Sequence, residues 1–490
     1  MATSIVLARA YGVEVIGQYA LAFAPLGMMV FISSAQEQAA LGRHLSTLPP
    51  RAPRVTQLTY AVMGFSLALT VGVGVIVGGV SYVLFTGPLD QPELFLPAVA
   101  LLVGYAFVQN TCWNIDIVLL AFRAGRPLFW IRLQQALVFF VVALGASVAA
   151  DSVWGLVLAW IGSWLVTLVT RLIALHGFMA FRITWPEMRI GLGELPGMIR
   201  FGLKATPGQL FGGINSQVGT ITLGMVSSVG VVGAWSRAQQ LVVRVQDASL
   251  RLQEMLFPTL VERRENDADG HDRALVDSIR LLLIGLLALA GSAGGAAYGV
   301  MALFGPGFGV AANALAILLL AQALAAIPAC CTMCLYAANR PGIVSVVSGV
   351  ACAANVSICI VFTIVLGGAT GPALGVLAGQ VVFGAFLLTA VRRELSTPLA
   401  RLMPWRTLVP LALAYAGAFP VSRLVDSALP TLAAPVAAMA AGAGVFVVVL
   451  VVTGGLSDRE RARLAQLGER LPGPIRRLRV RRVAALGDRP

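Results

Sequence analysis

The chain has 490 residues, 58% of them hydrophobic and only 12% charged, against roughly 25% charged in an ordinary soluble domain. That balance excludes a water-soluble enzyme or binding module and places most of the chain in lipid. The net charge of +13 does not describe a nucleic-acid surface either, because the basic residues fall in alternate loops and in the C-terminal tail, as membrane topology requires.

Met1 to Ala10 carries neither a charged leader nor a long apolar region, so insertion is expected to use the protein's own helices. A helix that crosses the hydrocarbon needs about 20 mainly apolar residues. Such stretches predict spans at 13–35, 57–86, 94–121, 128–150, 153–175 and 206–230. Seven more are expected at 236–258, 281–303, 310–336, 342–366, 370–390, 406–424 and 431–453. Arginine distribution agrees with alternate crossing. Arg43, Arg51 and Arg54, then Arg123 and Arg126, then Arg171 to Lys204, then Arg263, Arg264 and Arg273, then Arg340, then Arg392 to Arg406 fall in every second loop, and the loops between them are short and nearly uncharged. Under the positive-inside rule the arginine-bearing loops are cytoplasmic.

An internal repeat is legible. Ser4, Ile5, Gly12, Gly17, Tyr19 and Ala22 correspond to Thr220, Ile221, Ser228, Gly233, Trp235 and Ala238 at an offset of 216. Phe122, Ala124, Arg126 and Pro127 answer Tyr336, Ala338, Arg340 and Pro341 at 214. Two matches at nearly one offset predict two parallel six-helix halves, a transporter plan. The expected architecture is therefore an all-α polytopic membrane protein: bundle 1–195, bundle 196–395, two further helices in 396–456 and a basic cytoplasmic tail, 457–490. The repeat aligns Met1 with Gln217, midway along its helix, so helix 1 is expected to be truncated and thirteen spans complete.

The segment from Arg237 to Glu254 carries the most chemistry. Arg237, Gln240, Arg244, Asp247, Arg251 and Glu254 recur at three- and four-residue steps, on one helical face. Charge inside a span normally faces a watery cavity or a partner, and guanidinium groups bind phosphate oxygens bidentately. Arg237, Gln240, Arg244, Asp247 and Arg251 are thus expected to line a substrate cavity, with arginine holding a pyrophosphate and sugars filling the watery space. Ion pairing of Arg244, Asp247 and Arg251 along the helix near the cytosol is the structural alternative. Gln239, Gln246 and Gln253 add polarity elsewhere on the helix.

Gln109, Trp113 and Asp116 share another face, with Asn110 nearby. Asp116 is the best candidate for a buried acid; it either couples transport to protons or sodium or pairs with Arg132 on the next helix. Cys331 and Cys334 lie in an apolar helix and read as packing. Asp267 and Asp269 form an acid pair in a short charged loop, with no nucleotide-binding domain around it. No nucleophile, base and orienter come together, so neither catalysis nor a metal is expected. The tail from Ser457 holds ten arginines against four acids and is expected to bind anionic membrane lipid or anchor topology; docking of a glycosyltransferase or polymerase is a further expectation.

Arg9, Gly12, Gly17, Gln18 and Tyr19, then Gly224, Gly233, Trp235 and Ala238, Leu256 to Pro258, Phe304 and Gly305, Ala338 to Pro341, and Gly371 and Gly375 resemble the polysaccharide flippases of the multidrug/oligosaccharidyl-lipid/polysaccharide exporter superfamily. The resemblance implies two six-helix bundles around a central cavity, often with two extra helices, working by alternating access on a lipid-linked saccharide in the bacterial cytoplasmic membrane. Members commonly carry an acid five residues before the glycine matching Gly224, where this chain has Gly219. The alternatives are a peptidoglycan-precursor lipid flippase and a cation-coupled multidrug antiporter.

Overall fold

The structure, a computed structural model, describes residues 2–33, 37–149, 152–179, 185–203, 206–266, 268–338, 340–395, 405–429 and 433–455. Lys204, Asp267 and the basic tail lie outside the described residues, as do the side chains of Glu254 and of Leu256 to Pro258.

In the N-terminal half, α1 (Ala2–Ile32) is followed by a short α2 (Glu37–Leu45), then α3 (Pro53–Thr86), α4 (Phe95–Gly104), a π-turn at Tyr105–Gln109, α5 (Asn110–Ala121), α6 (Gly125–Ala149) and α7 (Val153–Leu175). The linker helix α8 (Trp185–Leu203) runs against α3, with Glu194 accepting a 3.0 Å ion pair from Arg54. The C-terminal half comprises α9 (Thr206–Val226), α10 (Val229–Asn266), α11 (Ala268–Gly295), α12 (Ala297–Ala302), α13 (Ala312–Leu324), α14 (Ala326–Ala337), α15 (Pro341–Leu366) and α16 (Thr370–Leu395). The added pair, α17 (Trp405–Ala428) and α18 (Ala434–Val452), packs on itself and on α11. Ser422 donates 2.6 Å to the Ser292 carbonyl and Asp426 accepts the Gly299 N–H at 2.8 Å, which fixes that docking.

Each half is a bundle, and they meet where α1 packs on α9 and α10. The sequence repeat is visible at this seam. A Cβ at Gly17 would overlap the Val229 carbonyl, and one at Gly233 would overlap that of Val13; exchanging each residue for its counterpart 216 positions away turns one contact into the other. The helices can cross this closely because both residues lack a side chain. Gly12, at φ 72° and ψ 173°, breaks α1, a conformation that favours glycine. Its counterpart Ser228 lies in the connection between α9 and α10. At the second repeat the structure shifts the register: the Ala124 N–H reaches the Leu119 carbonyl at 2.8 Å and the Arg340 N–H reaches that of Leu335 at 2.9 Å, 216 residues apart, so Ala124 answers Arg340 and not the Ala338 that the offset of 214 aligned with it.

Among the described residues, eleven helical segments are long and apolar enough to cross a membrane. They coincide with eleven of the thirteen expected spans. The other two expected spans fall on α9 and α10, which are long enough but more polar. Exposed apolar side chains such as Val75, Ile76, Ile173, Val365 and Val436 stud the outer surface, as expected where the surrounding solvent is hydrocarbon.

Candidate functional site

Helix α10 positions the chemistry. Two residues along an α-helix turn its face by about 200°, so Gln239, Gln246 and Gln253 lie opposite Arg237, Arg244 and Arg251. The helix therefore has a cationic face and an amide face.

The amide face looks into a cavity of about 370 Å³ inside the C-terminal bundle. Pro328 builds one wall. Proline lacks an N–H and its ring displaces the carbonyl four residues back; here α13 stops at Leu324, and the cavity opens along Gln322, Ala325 and Pro328. From the other side α9 contributes Asn215 and Ser216, and α15 and α16 contribute Asn355 and Gln380. Among the described residues, none that lines the cavity is charged. Gln239 donates to the Ser216 carbonyl at 2.7 Å and Gln253 to the Ser249 hydroxyl at 3.1 Å. Asn355 donates to Asn215 Oδ1 at 3.1 Å, which leaves its own buried Oδ1 without a partner. Gln246, Gln322 and Gln380 line the cavity and make no hydrogen bond among the described residues. Trp235 and Phe383 supply aromatic wall, and Trp235 Nε1 donates to Thr220 at 3.3 Å. A second pocket of about 220 Å³ adjoins, sharing Asn215, Asn355 and Gln380.

The arginines expected to line a cavity do not border this one. Arg237 is buried at the seam, donating to Ser4 Oγ at 2.9 Å and to Gln240 Oε1 at 2.7 Å, with its Nε unpaired. Gln240 is exposed. Arg244 and Asp247 form a 3.5 Å pair with side chains 74% and 56% exposed, and Arg251 is exposed one turn further on. The sequence pattern gives the row correctly as a single face; the structure ties its first member to α1.

In the N-terminal bundle Asp116 is buried, and its principal partner is Arg171 of α7 rather than Arg132. Arg171 Nε lies 2.7 Å from Oδ1, whereas Arg132 approaches Oδ2 only to 3.8 Å. Arg171 is wholly buried, donates also to Thr167 at 2.7 Å and Gln135 at 3.2 Å, and sits 5.1 Å from the Trp164 ring. Sequence reasoning placed it in a cytoplasmic loop because it lies near the end of an apolar run. Gln109 is buried with Oε1 unpaired, and Trp113 packs edge-on against Tyr105. Asn110 points to α3, accepting from Ser66 at 3.0 Å and donating to Thr70 at 3.1 Å. Ser66 also reaches Glu37 at 3.0 Å, a carboxylate with no exposed surface that sequence reasoning left in a loop. Its only sequence signal is an acid at the edge of a span.

The cysteines Cys330, Cys331 and Cys334 are buried free thiols in the core. Among the described residues no three His, Cys, Asp or Glu side chains gather as metal ligands.

Comparison with known proteins gives a family and a fold. Residues 6–313 match the family described as polysaccharide biosynthesis protein. The fold is similar to that of the lipid II flippase MurJ in an inward closed conformation, with a TM-score of 0.69 at 12% identity over 92% of this chain and 95% of that one. It is also similar to an inward-facing multidrug resistance MATE family transporter of the MOP superfamily, at 0.65 and 18% identity over 81% of this chain and 95% of that one. The eukaryotic MATE transporter AtDTX14 follows at 0.51 and 13% identity, over 82% and 97% respectively. No curated protein matches in sequence.

Proposed function

The chain belongs to the polysaccharide biosynthesis protein family, and from that premise we propose that it flips a lipid-linked saccharide, a polyprenyl-pyrophosphate oligosaccharide or repeat unit, across the bacterial cytoplasmic membrane by alternating access. The observation that carries this reading is α10: at the seam between the bundles, one helix presents arginines on one face and amides on the other. A ligand that joins an anionic pyrophosphate to uncharged sugars has the same two chemistries. Arg237, Gln240, Arg244, Asp247 and Arg251 belong to the phosphate-binding side, and movement of one bundle against the other about the Gly17–Gly233 crossing would alternate access. The working units are 1–195 and 196–395, with 396–456 attached and the 457–490 tail cytoplasmic.

Coupling to protons or sodium runs through Asp116 in this reading: neutralising that carboxylate releases Arg171 and loosens α5 from α7. A second reading, transport of a peptidoglycan-precursor lipid, is favoured by the fold likeness to a lipid II flippase. Both readings require the same pyrophosphate contacts and differ in the sugar.

Depletion of the protein, followed by leaflet-resolved quantification of lipid-linked saccharide, tests the assignment. We expect accumulation on the cytoplasmic leaflet, rescued by the wild-type gene and poorly by Arg244→Ala. Accumulation of peptidoglycan precursor instead selects the second reading. If neither lipid accumulates, small-molecule antiport replaces both.

A further inference from the structure

We propose that the amide-lined cavity of the C-terminal bundle is the saccharide chamber, and that it accepts uncharged, hydroxyl-rich sugars and excludes those bearing carboxylates or ammonium groups. The inference rests on the flippase reading and adds the ligand's chemical class.

Three properties of the cavity carry it. The first is donor and acceptor balance. A sugar hydroxyl both donates and accepts, and a carboxamide does the same through separate atoms. Gln246, Gln322 and Gln380 line the space with no hydrogen bond among the described residues, and Asn355 keeps an unpaired acceptor beside it. Asn355 is buried, and a buried polar atom is normally paired, so its open Oδ1, beside the half-buried Gln322 and Gln380 and the exposed Gln246, is capacity that a ligand can satisfy. The second is shape. A volume of about 370 Å³ falls within the range of about 300–1,000 Å³ typical of small-ligand sites, and the pocket that shares Asn215 and Asn355 extends it by a neighbouring compartment. Phe383, half-buried on the wall, offers flat apolar surface to the C–H faces of a pyranose.

The third is charge, and it sets specificity. Among the described residues no Asp, Glu, Lys or Arg lines the chamber, and the arginines of α10 point the opposite way. A carboxylate or ammonium entering would shed hydration and find no counter-charge, whereas a neutral sugar exchanges water hydrogen bonds for amide ones. The same absence among the described lining residues disfavours cationic drugs as occupants.

The test uses full-length protein in proteoliposomes with two synthetic probes. One is a polyprenyl pyrophosphate carrying a neutral disaccharide, and the other carries the same disaccharide with one uronic acid. Wild type is expected to flip the neutral probe about tenfold faster or more, and Gln246→Leu/Gln380→Leu to lose about tenfold on the neutral probe, the scale of a few lost hydrogen bonds. Equal rates for the two probes, or an undiminished rate in the double variant, would overturn the chamber while leaving the flippase reading intact. If wild type moves neither probe, the flippase reading fails and the chamber with it. Should the double variant not fold, Gln246→Cys labelling by a small maleimide decides: the neutral probe is expected to slow it, and unchanged labelling overturns the proposal.

Discussion

At residue scale the most consequential contact is Asp116–Arg171. Both side chains are buried, and the guanidinium spends its donors on a carboxylate, a threonine hydroxyl and a glutamine. Removing one member of such a pair leaves an uncompensated charge, which costs about 3–5 kcal/mol, whereas replacing both with apolar residues is often tolerated. Arg171→Met should therefore lower the thermal unfolding midpoint sharply in detergent, and Asp116→Leu/Arg171→Met should restore much of it. A single variant as stable as wild type would show that the pair is not structural. Asp116 is legible in the sequence as an acid amid apolar residues. Its partner is not, because an arginine at position 171 fits the end of a span as well as its interior, and only the pitch and packing of α7 place it beside α5.

At the scale of elements, the Gly17–Gly233 crossing is both the most readable feature and the most fragile. The offset of 216 was set by side-chain identities alone, and the structure returns it as a reciprocal contact: each glycine faces the carbonyl of the other's partner helix, four residues upstream of that helix's own glycine. A side chain at either position has backbone in its way, and backbone cannot yield as a rotamer can. Gly233→Val should reduce the yield of monodisperse protein to a small fraction of wild type, by an overpacking cost of about 1–3 kcal/mol or more, while Gly72→Ala, where a Cβ meets nothing within 4 Å, should be neutral. Equal yields from both would remove the seam from its structural role. Other elements escaped the sequence. The π-turn at Tyr105–Gln109 and the break before Pro328 leave the hydrophobic pattern continuous, and α2 and α8 are too short or too polar to read as spans. The amide face of α10 was visible as three glutamines seven residues apart, but periodicity could not say which face meets a cavity.

For the whole molecule, the question is how a chain with eleven strongly apolar helical segments among its described residues keeps its two halves parallel. Parallel halves require an even number of crossings between equivalent helices, and the repeat makes α9 and α10 the equivalents of the two parts of α1 on either side of Gly12. If α9 and α10 cross, Ser228 lies on the opposite side of the membrane from Arg126, because α6 and α7 return the chain to the side on which Arg126 began. If they lie along the surface, both residues share one side. Polar helices can span when their polar faces are covered by protein or border a cavity; α10 meets that condition at Arg237, buried against α1, and along its cavity-lining glutamines, whereas Arg244, Asp247 and Arg251 are exposed. Ser228 and Arg126 are both exposed, so single cysteines there report topology directly. Ser228→Cys should react with a membrane-impermeant maleimide in intact cells, and Arg126→Cys only after permeabilisation. The same pattern for both would leave α10 outside the membrane, and a helix outside the membrane could not carry phosphate and sugar chemistry through it.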